Sequence, residues 1–337
     1  MNLRTENYRI LITGACGSVG SSLGKFLLQN GHTLCLLDNS EDGLFRLGEE
    51  LKRLNLTNFR LFHGDIRDKN RLIRAFRGVD IVFHCAAMKH VELSEYNPFE
   101  VVKTNIQGSQ NIVEAAIDQS VKKVIFTSSD KAVNPTSTMG ATKLVGERLF
   151  VAANFQAGGY GPRFSCVRFG NVLNSNGSIL QIFSKQLLEN KSLTITDLGM
   201  SRFFISMEEA VQLCITAAEF SKGGEIFVKN MGSVDILTLA KAFSKNENVP
   251  FEIIGMKPGE KLYEELITEV EHHRTVQMDD FLVILPHEIS MLSEALQTDY
   301  SIYYTLPRMK HSLRSGETNL SFSEVTELLN KYGILND

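Results

Sequence analysis

The stretch ITGACGSVGSSL, residues 12–23, decides the fold. It follows an apolar run, YRILIT (8–13), and leads into a helix-like pattern, VGSSLGKFLLQNG (19–31). Gly14, Gly17 and Gly20 stand at the junction, with Ser18 and Val19 between the last two. The spacing is G-x-x-G-x-x-G rather than the G-x-G-x-x-G of the commoner dinucleotide fingerprint. Glycines there allow a tight turn and close approach of backbone to a ligand, and the helix N-terminus that follows favours a pyrophosphate. Asp38 ends the next apolar run, TLCLLD (33–38). A carboxylate at that point accepts hydrogen bonds from ribose hydroxyls and repels a 2′-phosphate. No Arg or Lys falls within LLDNSEDG (36–43), so the expected cofactor is NAD, with NADP disfavoured.

Working outward, further apolar runs recur at FRLFHGD (59–65), VDIVFHCA (79–86), KKVIFTSS (122–129) and FSCVRFGN (164–171), with helical patterns between most of them. Strands that are apolar on both sides and separated by helices imply a parallel sheet covered on both faces. The expected fold is therefore α/β, a Rossmann-type doubly wound parallel sheet. Ligands of such sheets sit at the carboxyl ends of the strands. That places Asp65 and Ile66 after the third run, and Ala86 and Ala87 after the fourth, at the cofactor. The alternation weakens near residue 172. Residues 1–172 are expected to form the NAD-binding domain, with 201–230 packing back on it. Residues 173–337 are expected to form a smaller mixed α/β region that binds substrate.

The chain of 337 residues is 43% apolar and 22% charged, with a formal net charge of -4, which gives no support for a nucleic-acid or membrane-surface partner. Its five cysteines are scattered and never form C-x-x-C, a pattern of reduced thiols rather than of a disulfide framework or zinc site. The adjacent His272 and His273 lack further ligands, and no metal is expected. No apolar run approaches the roughly 18–20 residues that span a bilayer. With no signal-peptide pattern at the start, the expected location is the cytoplasm.

SSDKAVNPTSTMGATK (128–143) carries the chemistry. Met139 and Lys143 have the spacing of a Tyr-x-x-x-Lys pair, but a thioether cannot exchange a proton. Asp130 and Lys131 directly follow an apolar run, where the nicotinamide is expected. A lysine base must be neutral, and desolvation beside a cationic nicotinamide pushes its pKa down; burial raises that of a carboxyl acid. Ser128 and Ser129 offer hydroxyls at the same strand end. Lys143 is suited to hold the nicotinamide ribose hydroxyls. Tyr96 and Tyr160 lack the helical spacing from Lys143 that a substitute tyrosine needs.

These residues resemble the extended short-chain dehydrogenase/reductases. HCAAMKHVELSEYNPFEVVKTNIQGSQNIVEAA (84–116), the Ser-Asp-Lys-Ala-x-x-Pro motif, RFGNVLNSNGS (168–178), SRFFISMEEAV (201–211) and KPGEKLYEEL (257–266) narrow the resemblance to UDP-N-acetylglucosamine 4,6-dehydratases of bacterial surface-sugar biosynthesis, in the subgroup with Met-x-x-x-Lys. The resemblance implies a hydro-lyase reaction: C4 oxidation, loss of water across C5 and C6, and hydride return to C6. It implies Lys131 as C5 base, Asp130 as C6 acid and Ser129 (often Thr in the family) near the C4 oxygen. It implies Lys89 at both cofactor and sugar, and Asn171, Gly177, Thr196, Arg202, Lys257 and Glu260 around the UDP moiety. Many relatives have Arg at 257, and Lys gives up a bidentate phosphate contact. A homo-oligomer is also implied. Which residue deprotonates the C4 hydroxyl stays open. The rival readings are a nucleotide-sugar 4-epimerase, a partial dehydratase releasing a 5,6-ene, and a non-catalytic dinucleotide sensor.

Overall fold

The computed structural model describes residues 2–159, 161–175, 177–287 and 300–335. Six strands form in chain order: β1 (Arg9–Thr13), β2 (Thr33–Asp38), β3 (Phe59–His63), β4 (Ile81–His84), β5 (Lys123–Ser129) and β6 (Arg163–Phe169). They lie in the order β3-β2-β1-β4-β5-β6, all parallel. The strand Ile226–Lys229 adds in parallel beside β6, and Phe281–Ile284 and Thr275–Met278 close the nine-stranded sheet antiparallel. β4 is buried at every position and β5 at all but its last residue, because helices cover both faces. The edge strand β3 is the exception, with every residue exposed or half-buried.

The order reverses between β1 and β4, which opens a crevice at their carboxyl ends. Gly14 sits there with φ +68, and a Cβ on it would stand 2.6 Å from the Ala86 backbone nitrogen. Two loops meet backbone to backbone at that point, which only glycine permits. The helix α1 (Ser18–Gln29) starts after Gly17 without a side-chain cap, leaving its first-turn amides to face the crevice.

A second apolar core gathers Leu173, Phe183, Ile195, Phe204, Leu239 and Leu329. It is built from residues 173–204, 234–249 and 320–335, so the chain passes between two cores more than once. The helix Met207–Phe220, closed by a Ser206/Glu209 capping box, packs against α1, β5 and β6. A buried ion cluster staples the larger core. Arg168 on β6 donates to both carboxylate oxygens of Glu147, in the helix Thr138–Ala157, and of Glu271, just before Thr275–Met278. Among the described residues, no helix is long and apolar enough to cross a membrane.

Candidate active site

A cleft of about 870 Å³ runs along the carboxyl ends of β1, β2, β4, β5 and β6 and onto the second core. One end is lined by Gly14, Gly17, Ser18, Val19 and Gly20, with Asp38, Asp65 and Ile66 beside them. Asp38 accepts from the Cys16 and Ser40 amides at 2.9 and 3.0 Å, which fixes its carboxylate at the end of β2. Burial and the Asp38 charge push the Cys16 thiol up to about 12, so it stays protonated. Asp65 is chelated by Arg67 through hydrogen bonds of 2.6 to 3.0 Å that hold its carboxyl below the usual range. Arg67 lines the same end of the cleft and was not anticipated from the sequence.

The middle of the cleft is built by the ends of β4 and β5. Ala86, Ala87 and Lys89 line it, and burial pushes the Lys89 amine down. Behind them Asn105 accepts from the Met88 amide (2.8 Å) and donates to the Met88 carbonyl and Thr142 hydroxyl (both 3.0 Å). Asn105 lies in a π-helical turn, Val102–Gln107, that interrupts the surrounding α-helix. Such turns often sit at functional sites. This one pins the loop after β4 to the helix that carries Met139 and Lys143.

Lys143 is buried, with its ammonium 2.8 Å from the Thr127 carbonyl and 4.6 Å from the Phe126 ring centre. Burial pushes its pKa down to about 8, against weaker opposition from Cys85, Glu147 and Cys166. Met139 is buried and lines the cleft. Gly140, the next residue, packs so closely that a Cβ would stand 2.3 Å from the Lys131 carbonyl oxygen. The Met-x-x-x-Lys helix therefore rests directly on the turn Asp130–Ala132.

That turn holds a compact polar cluster. The Ser129 hydroxyl donates to Asp130 Oδ1 at 2.8 Å, and Lys131 Nζ donates to the same oxygen at 3.0 Å and to Asn171 Oδ1 at 3.1 Å. Ser129, Lys131 and Asn171 line the cleft, while Asp130 is fully buried behind them with Oδ2 lacking a protein partner. Ser128 also faces the cleft, and its hydroxyl has no protein partner among the described residues. Glu264, absent from the sequence-based candidates, stands 3.6 Å from Lys131 Nζ. Burial pushes Lys131 down, as expected, but Asp130 and Glu264 outweigh it and its pKa is raised. Two carboxylates around one amine thus oppose the lowering expected beside a cationic nicotinamide.

The UDP-side candidates divide. Gly177 (φ +73) lines the cleft, packed on the His90 ring. Thr196 is off the cleft wall and donates to Met200 Sδ. Arg202 is buried, also off the wall, and donates to the carbonyls of Ser201, Lys261 and Leu262. Lys257 pairs with Glu92, and its amide donates to Glu260, on an exposed loop outside the wall. Tyr96 is 88% exposed and off the cleft wall, and Tyr160 lies outside the described residues. Among the described residues no cluster of His, Cys, Asp and Glu is able to hold a metal ion.

The residues present fit a dinucleotide: a glycine turn and helix N-terminus for the pyrophosphate, Asp38 for a ribose, and Lys143 beneath the far end. A family model described as polysaccharide biosynthesis protein matches residues 10–286. The chain is 48% identical over 290 residues to a Methanocaldococcus jannaschii protein named as an uncharacterized membrane protein, covering 83% of this chain and 86% of that one. It is 43% identical to an inverting UDP-N-acetylglucosamine 4,6-dehydratase of Campylobacter jejuni, covering 87% of this chain and 86% of the relative. The X-ray structure of Pen from Bacillus thuringiensis superposes with a TM-score of 0.89 at 38% identity, over 98% of this chain and 99% of that one. Cleft, catalytic-type turn and these matches agree: the chain belongs to the polysaccharide biosynthesis protein family, among the UDP-N-acetylglucosamine 4,6-dehydratases of the extended short-chain dehydrogenase/reductases.

Proposed function

We propose that this chain converts UDP-N-acetylglucosamine to a UDP-4-keto-6-deoxy-N-acetylhexosamine by C4 oxidation, loss of water across C5 and C6, and hydride return to C6. The observation that carries the reading is the hydrogen-bonded Ser129–Asp130–Lys131 cluster at the end of β5, beside a methionine at the tyrosine position. NAD held by the glycine turn, Asp38 and Lys143 would supply both the hydride acceptor and the hydride donor, so no external reductant would be consumed. NAD rather than NADP is favoured because the anchored Asp38 carboxylate repels a 2′-phosphate. Lys143 holds the nicotinamide ribose and adds positive potential. Lys131 removes the C5 proton, and Asp130, hydrogen-bonded to it, delivers a proton to the departing C6 hydroxyl. A hydroxyl of Ser128 or Ser129 relays the C4 proton. Ser128 is the less committed of the two, since Ser129 already donates to Asp130.

The test is incubation of the purified protein with UDP-N-acetylglucosamine and NAD, followed by NMR. A C6 methyl beside a C4 ketone supports the reading. UDP-N-acetylgalactosamine would indicate 4-epimerisation, a vinylic C6 the truncated reaction, and no turnover a sensor. A further expectation follows from the contact of Gly140 with the Lys131 carbonyl. Gly140→Ala displaces the turn and lowers kcat by about 10²-fold, the scale of a misplacement near 1 Å. Its NAD affinity by calorimetry falls far less than kcat, because the glycine loop is untouched.

A further inference from the structure

We infer that Glu264 is a positioning residue that sets the charge on Lys131, and that Lys261 tempers its influence; this rests on the acid–base role proposed for Lys131. The Glu264 side chain is 3% exposed and is shared between two ammonium groups. One oxygen lies 3.6 Å from Lys131 Nζ and the other 2.9 Å from Lys261 Nζ. Lys131 spends its directional hydrogen bonds on Asp130 and Asn171, so Glu264 acts on it through charge. Lys261 donates to the carbonyls of Val133 (2.9 Å) and Asn134 (3.4 Å), directly after the catalytic turn. The amine that offsets Glu264 is thus fixed to the same backbone that carries Lys131.

The segment is held in register from both sides. The Glu264 amide donates to the Ser315 hydroxyl, and the Ser315 amide donates back to the Glu264 carbonyl. Arg202 grips the Lys261 and Leu262 carbonyls. The charged groups bearing on Lys131 are Asp130 from its own turn, Glu264 from this segment and Arg202 from the strand Ser201–Ile205. A buried anion close to an amine favours its protonated form, and a cation on that anion weakens the effect. Glu264 and Lys261 thereby set the pH below which Lys131 ceases to be a base. Nothing in the EKLYEE run (260–265) separates Glu264 from its neighbours, since it differs from Glu260 and Glu265 only in burial.

Competitive labelling of lysines with acetic anhydride across a pH series, read by mass spectrometry, tests this on the full chain with NAD. Lys131 lines the cleft with its side chain 22% exposed, so the reagent reaches it. Glu264→Gln is expected to move the Lys131 labelling midpoint down by about 1 pH unit, and Lys261→Met to move it up. Glu264→Asp, which keeps the charge, moves it back toward the parent value. A pair that only braces the loop would not produce opposite signs; midpoints that stay put or move together overturn the inference. If Glu264→Gln does not fold, Lys261→Met decides alone: an upward move supports the inference and no move overturns it. The labelling needs no sugar. Opposite shifts in a protein that leaves UDP-N-acetylglucosamine unchanged would defeat the proposed reaction and leave the role of Glu264 standing.

Discussion

Lys131→Ala is expected to stop exchange of the C5 proton with deuterated water and to lower kcat by about 10³-fold, within the range that a positioned general base supplies. Asp130→Asn is the informative partner. It keeps the amine, so C5 exchange continues while water loss at C6 fails. NMR of the sugar in deuterated buffer reads both, and persistent exchange in Lys131→Ala would remove Lys131 from its role. NAD affinity holds in both variants, because neither residue touches the glycine loop at the other end of the cleft.

Arg168→Leu is expected to be the most damaging change outside the cleft. Side chains of Arg168 and Glu147 are each 2% exposed, and that of Glu271 is 10%. Removing the cation leaves two buried carboxylates without their main partner, which costs about 3–5 kcal/mol. Arg274, 3.8 Å from Glu271, is too distant to replace it. The effect depends on pH with a definite sign. Burial raises the Glu271 pKa, but the Arg168 charge and hydrogen bonds win and bring it down from 4.5 to about 2. Its contribution is therefore complete above pH 4.5 and is lost as pH falls toward 2. In Arg168→Leu the orphaned carboxylates gain by taking up protons. The stability gap between parent and variant, read by denaturant titration, should narrow between pH 7 and pH 4.

What was legible in the sequence followed physical pattern. The glycine loop and its flanking runs could be read because backbone approach demands glycine, and because doubly buried strands read as near-continuous apolar runs. Asp130, Lys131 and Lys143 could be found because they occupy strand-end and helical-repeat positions. The π-helical turn at Val102–Gln107 leaves no such trace, since its residues continue an ordinary helical pattern. Arg202 was placed around the UDP moiety by resemblance alone, and no local pattern announces that its guanidinium donates to three backbone carbonyls. Burial, a property of the folded chain, also singled out Glu264 from the other glutamates of its run. The strands Thr275–Met278 and Phe281–Ile284 read as part of a smaller region because nothing local says which sheet a strand joins.

Those late strands bear on any attempt to re-engineer sugar preference. Swapping everything after residue 172 for the matching half of a relative looks like a clean exchange of one module for another. It would also remove Ile226–Lys229, the neighbour of β6, and with it the two strands that close that side of the sheet. Unless the incoming half supplies a strand that pairs equally well, β6, buried in the parent at every position but Arg163, is left as an open edge, the kind that recruits other chains and drives aggregation. A workable chimaera must instead exchange the segments of the second core piecemeal, around strands that stay with the cofactor half.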